Sequence, residues 1–287
     1  MLERVLVTGA TGSVGRHVVA QLQTAGVGVR ALTRDQRVTT LPDGVEIAEG
    51  DLTQPESLNE AFAGIDGMFL FPADRGTGDV LRIARKAGVR RVVVLSSLTV
   101  LDRRGGDYVG DYHRRVEVEA ERSGLTWTHV RPSEFAGTAL RRWGKSIRAE
   151  GIARAPYARA VRVPIHEADI AAVAVLSLRS SEHAGCAYSI TGPQAMTSRD
   201  QVRVLSEALG KEIQFEELDP AQGRAQFGEY VPHDLVESVM RYMENSVDAQ
   251  MPILTTVERL LGRPPRTFKQ WAAEHVEEFV DPEWEQR

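Results

Sequence analysis

The stretch Val5-Leu6-Val7-Thr8-Gly9-Ala10-Thr11-Gly12-Ser13-Val14-Gly15 decides the fold. The apolar run from Val5 to Thr8 predicts a buried strand. From Val14 to Thr24 the apolar residues Val14, Val18 and Leu22 share one helical face, and Gly26 stands where a left-handed residue would end that helix. A glycine-rich turn between strand and helix suits a dinucleotide pyrophosphate. Gly9 permits the tight turn, Gly12 lets the backbone approach the phosphates, and Gly15 lets the helix pack closely on the sheet. Thr8, Thr11, Ser13 and Val14 complete this cradle, whose amides and positive helix end would face the phosphates. The spacing is GxxGxxG rather than GxGxxG, so the first turn is longer than in the commonest dehydrogenases.

Moving outward, apolar runs recur at Val29 to Thr33, Val45 to Glu49, Gly67 to Phe71, Val92 to Ser96 and Thr126 to Arg131. Segments of helical periodicity lie between them, at Glu56 to Ala63, Thr77 to Ala87 and Tyr112 to Ser123. This alternation predicts an α/β fold, a Rossmann-type doubly wound parallel sheet with crossover helices. After Pro132 the pattern loosens into helices at about Phe135 to Ala149, Glu167 to Leu178, Arg199 to Leu209 and Leu235 to Glu244, with a short strand at Tyr188 to Thr191. Two parts are therefore expected: a cofactor domain over 1–132, and a smaller mixed α/β substrate-binding part over 133–287. The chain should cross back to the first sheet around 160–192.

Composition narrows the class. The 287 residues are 42% apolar and 26% charged, an ordinary globular mixture. A formal charge of −5 argues against non-specific nucleic-acid binding. No run reaches the roughly 20 apolar residues that span a bilayer, and no signal peptide is evident, so a cytoplasmic protein is expected. Cys186 is the single cysteine, which excludes intrachain disulfides and suggests a buried thiol. The histidines lack metal-ligand spacing, and there is no nucleophile elbow or P-loop lysine. No metal, nucleic-acid or membrane partner is expected, and the chain should act as a monomer or homodimer.

The second strand ends in Arg34, where a guanidinium would grip the 2′-phosphate of NADPH; the plain alternative is a solvated arginine. Asp51 and Leu52, after the third strand, are placed to meet adenine, although Asp51 would equally serve as a helix cap. Phe71 and Pro72 after the fourth strand, and Arg131 and Pro132 after the sixth, should border the nicotinamide. Ser96 joins them as a cofactor-side residue. Ser97, at the carboxyl edge of the sheet, can donate a hydrogen bond to a carbonyl or simply close its strand. Tyr108, Tyr112 and His113, around the start of the next helix, are candidate donors to the same substrate.

These residues resemble the atypical short-chain dehydrogenase/reductase superfamily, and within it the NmrA-like group of quinone oxidoreductases and triphenylmethane-dye reductases. The likeness rests on Val7-Thr8-Gly9-Ala10-Thr11-Gly12, Gly50-Asp51-Leu52, Ala87-Gly88-Val89, Ser96-Ser97, His113 with Glu117, and Arg131-Pro132. Weaker matches are His166 to Ala171 and Thr267 to Ala272. The chain departs from the superfamily in one chemical respect. None of its four lysines stands four residues after a tyrosine, so the usual YxxxK acid pair is missing. The resemblance implies an NADPH-dependent reductase of a ketone or quinone, plausibly a polycyclic aromatic one. Protonation would then come from the substrate itself or from water. The rival reading is a non-catalytic NADP(H) redox sensor. An isomerase or epimerase is disfavoured by the absent proton-transfer pair. The preference for arginine over lysine suits a GC-rich bacterial genome and a place in secondary metabolism.

Overall fold

β1 (Arg4–Val7) is buried over its last three residues and runs into the glycine turn, from which α1 (Gly15–Thr24) leaves. The computed structural model describes residues 2–35, 41–73, 75–102 and 108–280. In chain order there follow β2 (Gly28–Thr33), β3 (Glu46–Glu49), β4 (Gly67–Leu70), α2 (Thr77–Lys86), β5 (Arg91–Leu95), α3 (Tyr108–Arg122) and β6 (Thr126–Pro132). Next come α4 (Thr138–Glu150), β7 (Ile152–Pro156), β8 (Val161–Arg162), α5 (Glu167–Arg179) and β9 (Cys186–Ile190). The chain continues through β10 (Met196–Thr197), α6 (Ser198–Leu209), β11 (Gln214–Leu218), α7 (Pro220–Gly228) and α8 (His233–Asn245). It finishes with α9 (Thr256–Leu261), α10 (Phe268–Glu274) and α11 (Val276–Val280).

These elements form two compact units. The first comprises Met1–Gly105, Val109–Pro132 and Glu167–Ile190; the second comprises Gly106–Tyr108, Ser133–His166 and Thr191–Arg287.

The first unit is built on a seven-stranded sheet of order β3-β2-β1-β4-β5-β6-β9, parallel throughout. Its central strands are buried on both faces, which is why they read as unbroken apolar runs. The order reverses between β1 and β4, so a crevice opens beyond their carboxyl ends. α5 packs against α1 and against β4, β5 and β6. It is buried on nearly every side, Val173, Ala174 and Leu178 being fully so, as a helix apolar all round requires. Gln21 of α1 donates to the carbonyl of Ala168 at 2.9 Å and fixes the helix pair.

Three local expectations are corrected. The segment 56–63 is not a helix but a short 3-10 turn, Pro55–Leu58, followed by further turns. Arg30, buried in β2, takes up the loose carbonyls of Ala61 and Ala63, each at 2.8 Å. α4 starts at Thr138 rather than at Phe135, because Phe135 is bridged to Ile165 and its neighbours complete that ladder. Cys186 opens β9, the edge strand, and is only half-buried.

The second unit holds two short sheets, β7 with β11 in parallel and β8 with β10 antiparallel. Trp143, Phe268, Trp271 and Phe279 fill one core, and Phe227, Val236, Met240 and Met243 another. Capping boxes start α6 at Thr197, α7 at Asp219 and α10 at Thr267.

Candidate active site

The glycine turn lies at the crevice between β1 and β4. Thr8 is fully buried; its Oγ1 accepts from the Phe71 amide at 2.7 Å, clamping the two strand ends together. Gly9 has φ +60°, and a Cβ there would meet the Phe71 side chain at 3.1 Å. The Gly12 amide returns to the Gly9 carbonyl at 3.0 Å and closes the turn. A Cβ on Gly15 would lie 1.9 Å from the Gly9 carbonyl oxygen, so no larger residue fits where the helix leaves the sheet. α1 begins here with no side-chain cap, its first amides turned back to the carbonyls of Gly12 and Val14, and its positive end faces the turn. Thr11 and Ser13 are exposed on the turn and Val14 is buried beneath it.

Arg34 is exposed directly after β2, and its charge reaches Asp51 after the neighbouring β3. Asp51 is no helix cap. Its Oδ1 accepts from the amide and the hydroxyl of Thr53, each at 2.8 Å. Those hydrogen bonds hold its carboxyl below the usual range, and Arg34 adds to the effect. Gly50 allows this corner to lie tightly on the core, since a Cβ would fall 2.7 Å from Leu58 and 3.0 Å from Leu32. Leu52 packs partly on the same core. Phe71 is 49% exposed beside the turn, with Pro72 buried after it. A turn with three glycines at crowded positions, a helix end without a side-chain cap and a cation at the second strand fit a nicotinamide dinucleotide.

The strand ends on the other side of the crevice are held by one carboxylate. Glu117 of α3 is completely buried and accepts from Ser96 Oγ at 2.7 Å. It also receives both arms of Arg131, Nε at 2.7 Å and Nη2 at 2.8 Å, and Arg114 Nη1 at 3.0 Å. Burial presses its carboxyl upward, but the bonds from Arg131 and Ser96 prevail and hold it below the usual range. Arg131 and Ser96, read from sequence as cofactor-side residues, therefore have side chains turned to Glu117, and Pro132 is the buried end of β6. Glu117, Glu121 and His129 also gather in metal-ligand fashion, yet Arg114 already spans the two carboxylates. The group is an ion-pair network. Sequence reading saw Glu117 only through its pairing with His113; a strand-end arginine facing a buried helix position was the further signal.

Ser97 caps the short turn Leu98–Leu101. Its Oγ accepts from the Thr99 amide at 3.2 Å and from the Thr99 hydroxyl at 2.9 Å, so its own proton is left to donate. His113 lies one turn before Glu117 on the same face of α3. Burial pushes its imidazole down to about 4, with Glu117 opposing, so the ring is neutral near pH 7. Its Nδ1 is buried with no hydrogen-bond partner among the described residues. Tyr112 packs its ring edge-on to His113 at 5.0 Å. Tyr108 belongs to the second unit, where its amide donates to Ser238 Oγ at 3.4 Å. Ser97, Tyr112 and His113 lie in the first.

A family model described as NAD(P)H-binding matches residues 9–181, more than half of the chain. The chain belongs to the NAD(P)H-binding family. It is similar to a (4-alkanoyl-5-oxo-2,5-dihydrofuran-3-yl)methyl phosphate reductase of Streptomyces griseus, 38% identical over 281 residues, covering 96% of this chain and 99% of that one. An NAD(P)H azoreductase of Xenophilus azovorans is 31% identical over 287 residues, covering 96% and 99%. As a member of this family with reductases as full-length relatives, the protein is an NAD(P)H-dependent oxidoreductase. The NADPH-dependent quinone oxidoreductase of Escherichia coli, solved with NADPH, superposes with a TM-score of 0.77 at 20% identity, covering 94% of this chain and 99% of that one. At that identity the likeness concerns the fold, and it agrees with the NmrA-like resemblance read from the sequence. No helix among the described residues is long and apolar enough to cross a membrane.

Proposed function

We propose that this family member is an NADPH-dependent reductase of a conjugated carbonyl compound, a ketone or quinone whose reduced oxygen shares its charge with a second carbonyl or a phenol. The observation that carries the reading is the crowding at Gly15, where a Cβ would strike the Gly9 oxygen at 1.9 Å beneath an uncapped helix end. Gly9, Gly12 and Gly15 would hold the pyrophosphate, Arg34 the 2′-phosphate, and Asp51 with Leu52 the adenine. Arg34 is the reason for preferring NADPH to NADH, since a guanidinium binds a phosphate through charge-assisted bonds.

The bound nicotinamide supplies a hydride to the electrophilic carbon. The residues of the chain then have to orient the carbonyl and receive the charge that develops on its oxygen. Ser97 supports this role with a free hydroxyl proton. His113 supports it as a neutral donor, its low pKa excluding an imidazolium acid near pH 7. With no YxxxK pair, a delocalised oxyanion needs no strong protein acid and takes its proton from water or from a neighbouring hydroxyl of the substrate. The name of the Streptomyces griseus relative, with its alkanoyl and ring oxo groups, describes an acceptor of this conjugated kind.

The deciding experiment is NADPH oxidation measured over quinones, polycyclic aromatic ketones, acyl-butenolides and simple aldehydes. Turnover on a conjugated member and none on simple aldehydes is expected. Binding of NADPH without turnover on any of them would overturn the proposal. Substrate-assisted protonation fails if one substitution at Tyr108, Tyr112 or His113 abolishes turnover while both ligands still bind.

A further inference from the structure

The second unit buries two arginines around one acid. The side chains of Arg142 in α4 and Arg162 in β8 are 2% and 1% exposed. Both donate to the same oxygen of Glu134, Arg142 Nη2 at 3.2 Å and Arg162 Nη1 at 3.1 Å. One carboxylate thus serves two guanidiniums, and the interior keeps an uncompensated positive charge, a costly arrangement unless a further anion completes it. The remaining donors tell the same story. Nε and Nη1 of Arg142 and Nε and Nη2 of Arg162 are buried with no hydrogen-bond partner among the described residues, and the buried Tyr230 hydroxyl lies against Arg142. Aromatic rings cover the guanidinium faces, Trp143 and Phe227 at 5.2 and 6.0 Å from Arg142 and Tyr242 at 5.2 Å from Arg162. Rings over those faces leave the in-plane N–H groups unsatisfied.

Two of these side chains reach a cleft. Arg142 and Tyr230 line a cleft of about 950 Å³ within this unit, together with Arg141 and Lys145. Arg154 also lines it but is spent on Glu150 and Glu216, and Glu229 places an acid in the wall. Burial pushes the Tyr230 hydroxyl up, with Arg142 opposing, so it stays protonated and is a donor.

We infer that Arg142 and Tyr230, backed by Arg162, form an anion-binding site in this unit, and that its ligand is a phosphate monoester. A carboxylate offers two oxygens and one charge. A phosphate monoester offers three oxygens and up to two charges, which better matches the unspent nitrogens of Arg142, the second guanidinium behind it, a phenol and the cations of the cleft.

The test is calorimetric titration of inorganic phosphate into the full-length protein, saturated with NADP+ so that the glycine turn is occupied. One saturable phosphate site is expected, with acetate at least tenfold weaker. Arg142→Met should weaken phosphate binding at least tenfold and Tyr230→Phe at least threefold, both leaving NADP+ affinity unchanged. Phosphate that does not saturate, or a Tyr230→Phe protein that binds it as the wild type does, overturns the site even if Arg142→Met fails to fold. Acetate binding as tightly as phosphate overturns the phosphate assignment. No turnover is read, so a protein that binds phosphate yet oxidises no NADPH would sink the reductase proposal and leave the anion site standing.

Discussion

In the proposed cofactor site Arg34 would meet the 2′-phosphate and Asp51 the adenine, and both follow their strands, Arg34 exposed and Asp51 half-buried. Arg34→Ala should raise the Kd for NADPH by about tenfold to a hundredfold, the roughly 1.5–3 kcal/mol of hydrogen bonds to a charged group. NADH binding should stay within a factor of two, and fluorescence titration with the two cofactors reads the split. His113 makes a prediction in pH. The unfolded chain takes up its proton near 6.5, whereas the folded ring waits until about 4. Between those values the unfolded state holds the extra proton, so stability falls as pH falls, by about 3 kcal/mol across the window. Urea unfolding from pH 6.5 to 4 should show this slope in the wild type and its loss in His113→Phe. A slope unchanged in the variant would mean that His113 is not the titrating group. The glycines were readable from sequence because a turn without room for Cβ atoms is a local demand. Arg131 was placed correctly at its strand end, but the partner that claims its guanidinium lies in another element.

That partner, Glu117, joins three elements: Ser96 follows β5, Arg131 belongs to β6 and Glu117 to α3. It thereby positions the strand end that carries Ser97 and the helix face that carries His113. Arg131→Met should cost about 3 kcal/mol, near the low end for a broken buried pair because Arg114 still reaches Glu117. The double variant with Glu117→Gln should recover part of that loss, and denaturant unfolding of the two proteins would measure it; a double variant weaker than the single one contradicts the account. The carboxyl of Glu117 is held low, so its contribution is present above about 4.3, the ordinary glutamate value, and fades as pH falls through the folded pKa. Strands β1, β2, β4 and β5 were legible because burial on both faces turns a parallel strand into an apolar run, whereas the edge strand β3, Glu-Ile-Ala-Glu, is largely exposed. β11, Gln-Phe-Glu-Glu-Leu, carries no such run, because its two-stranded sheet leaves most of it exposed. α7, α9, α10 and α11 span nine residues or fewer, too few for an apolar period to repeat clearly.

For the whole molecule, the decisive fact is that the nicotinamide unit is assembled from separated stretches of chain. A boundary at Pro132, natural from the sequence rhythm, leaves α5 and β9 beyond the cut. A chain ending at Pro132 would expose the edge of β6 and the faces of α1 and the sheet that α5 covers. It should aggregate, as size-exclusion chromatography would record; a soluble fragment binding NADPH with full affinity would refute this. A helix over Glu167 to Leu178 and a strand near Tyr188 were read from the sequence, and the structure has α5 at Glu167–Arg179 and β9 at Cys186–Ile190. What the sequence did not display was how completely α5 is buried, since that depends on α1 and three strands at once.

The pairing of β6 with β9, in which Thr128 stands opposite Cys186, also sets an order in time. At a synthesis rate of about 5–20 residues per second, roughly 3–12 s separate the emergence of the two strands from the ribosome. During that interval the half-made sheet carries an open edge of parallel β-strand, and closing so long a loop is itself slow. The last strand of the sheet is therefore the nascent chain's most exposed moment, the point at which a chaperone, or a neighbouring chain, would reach it first.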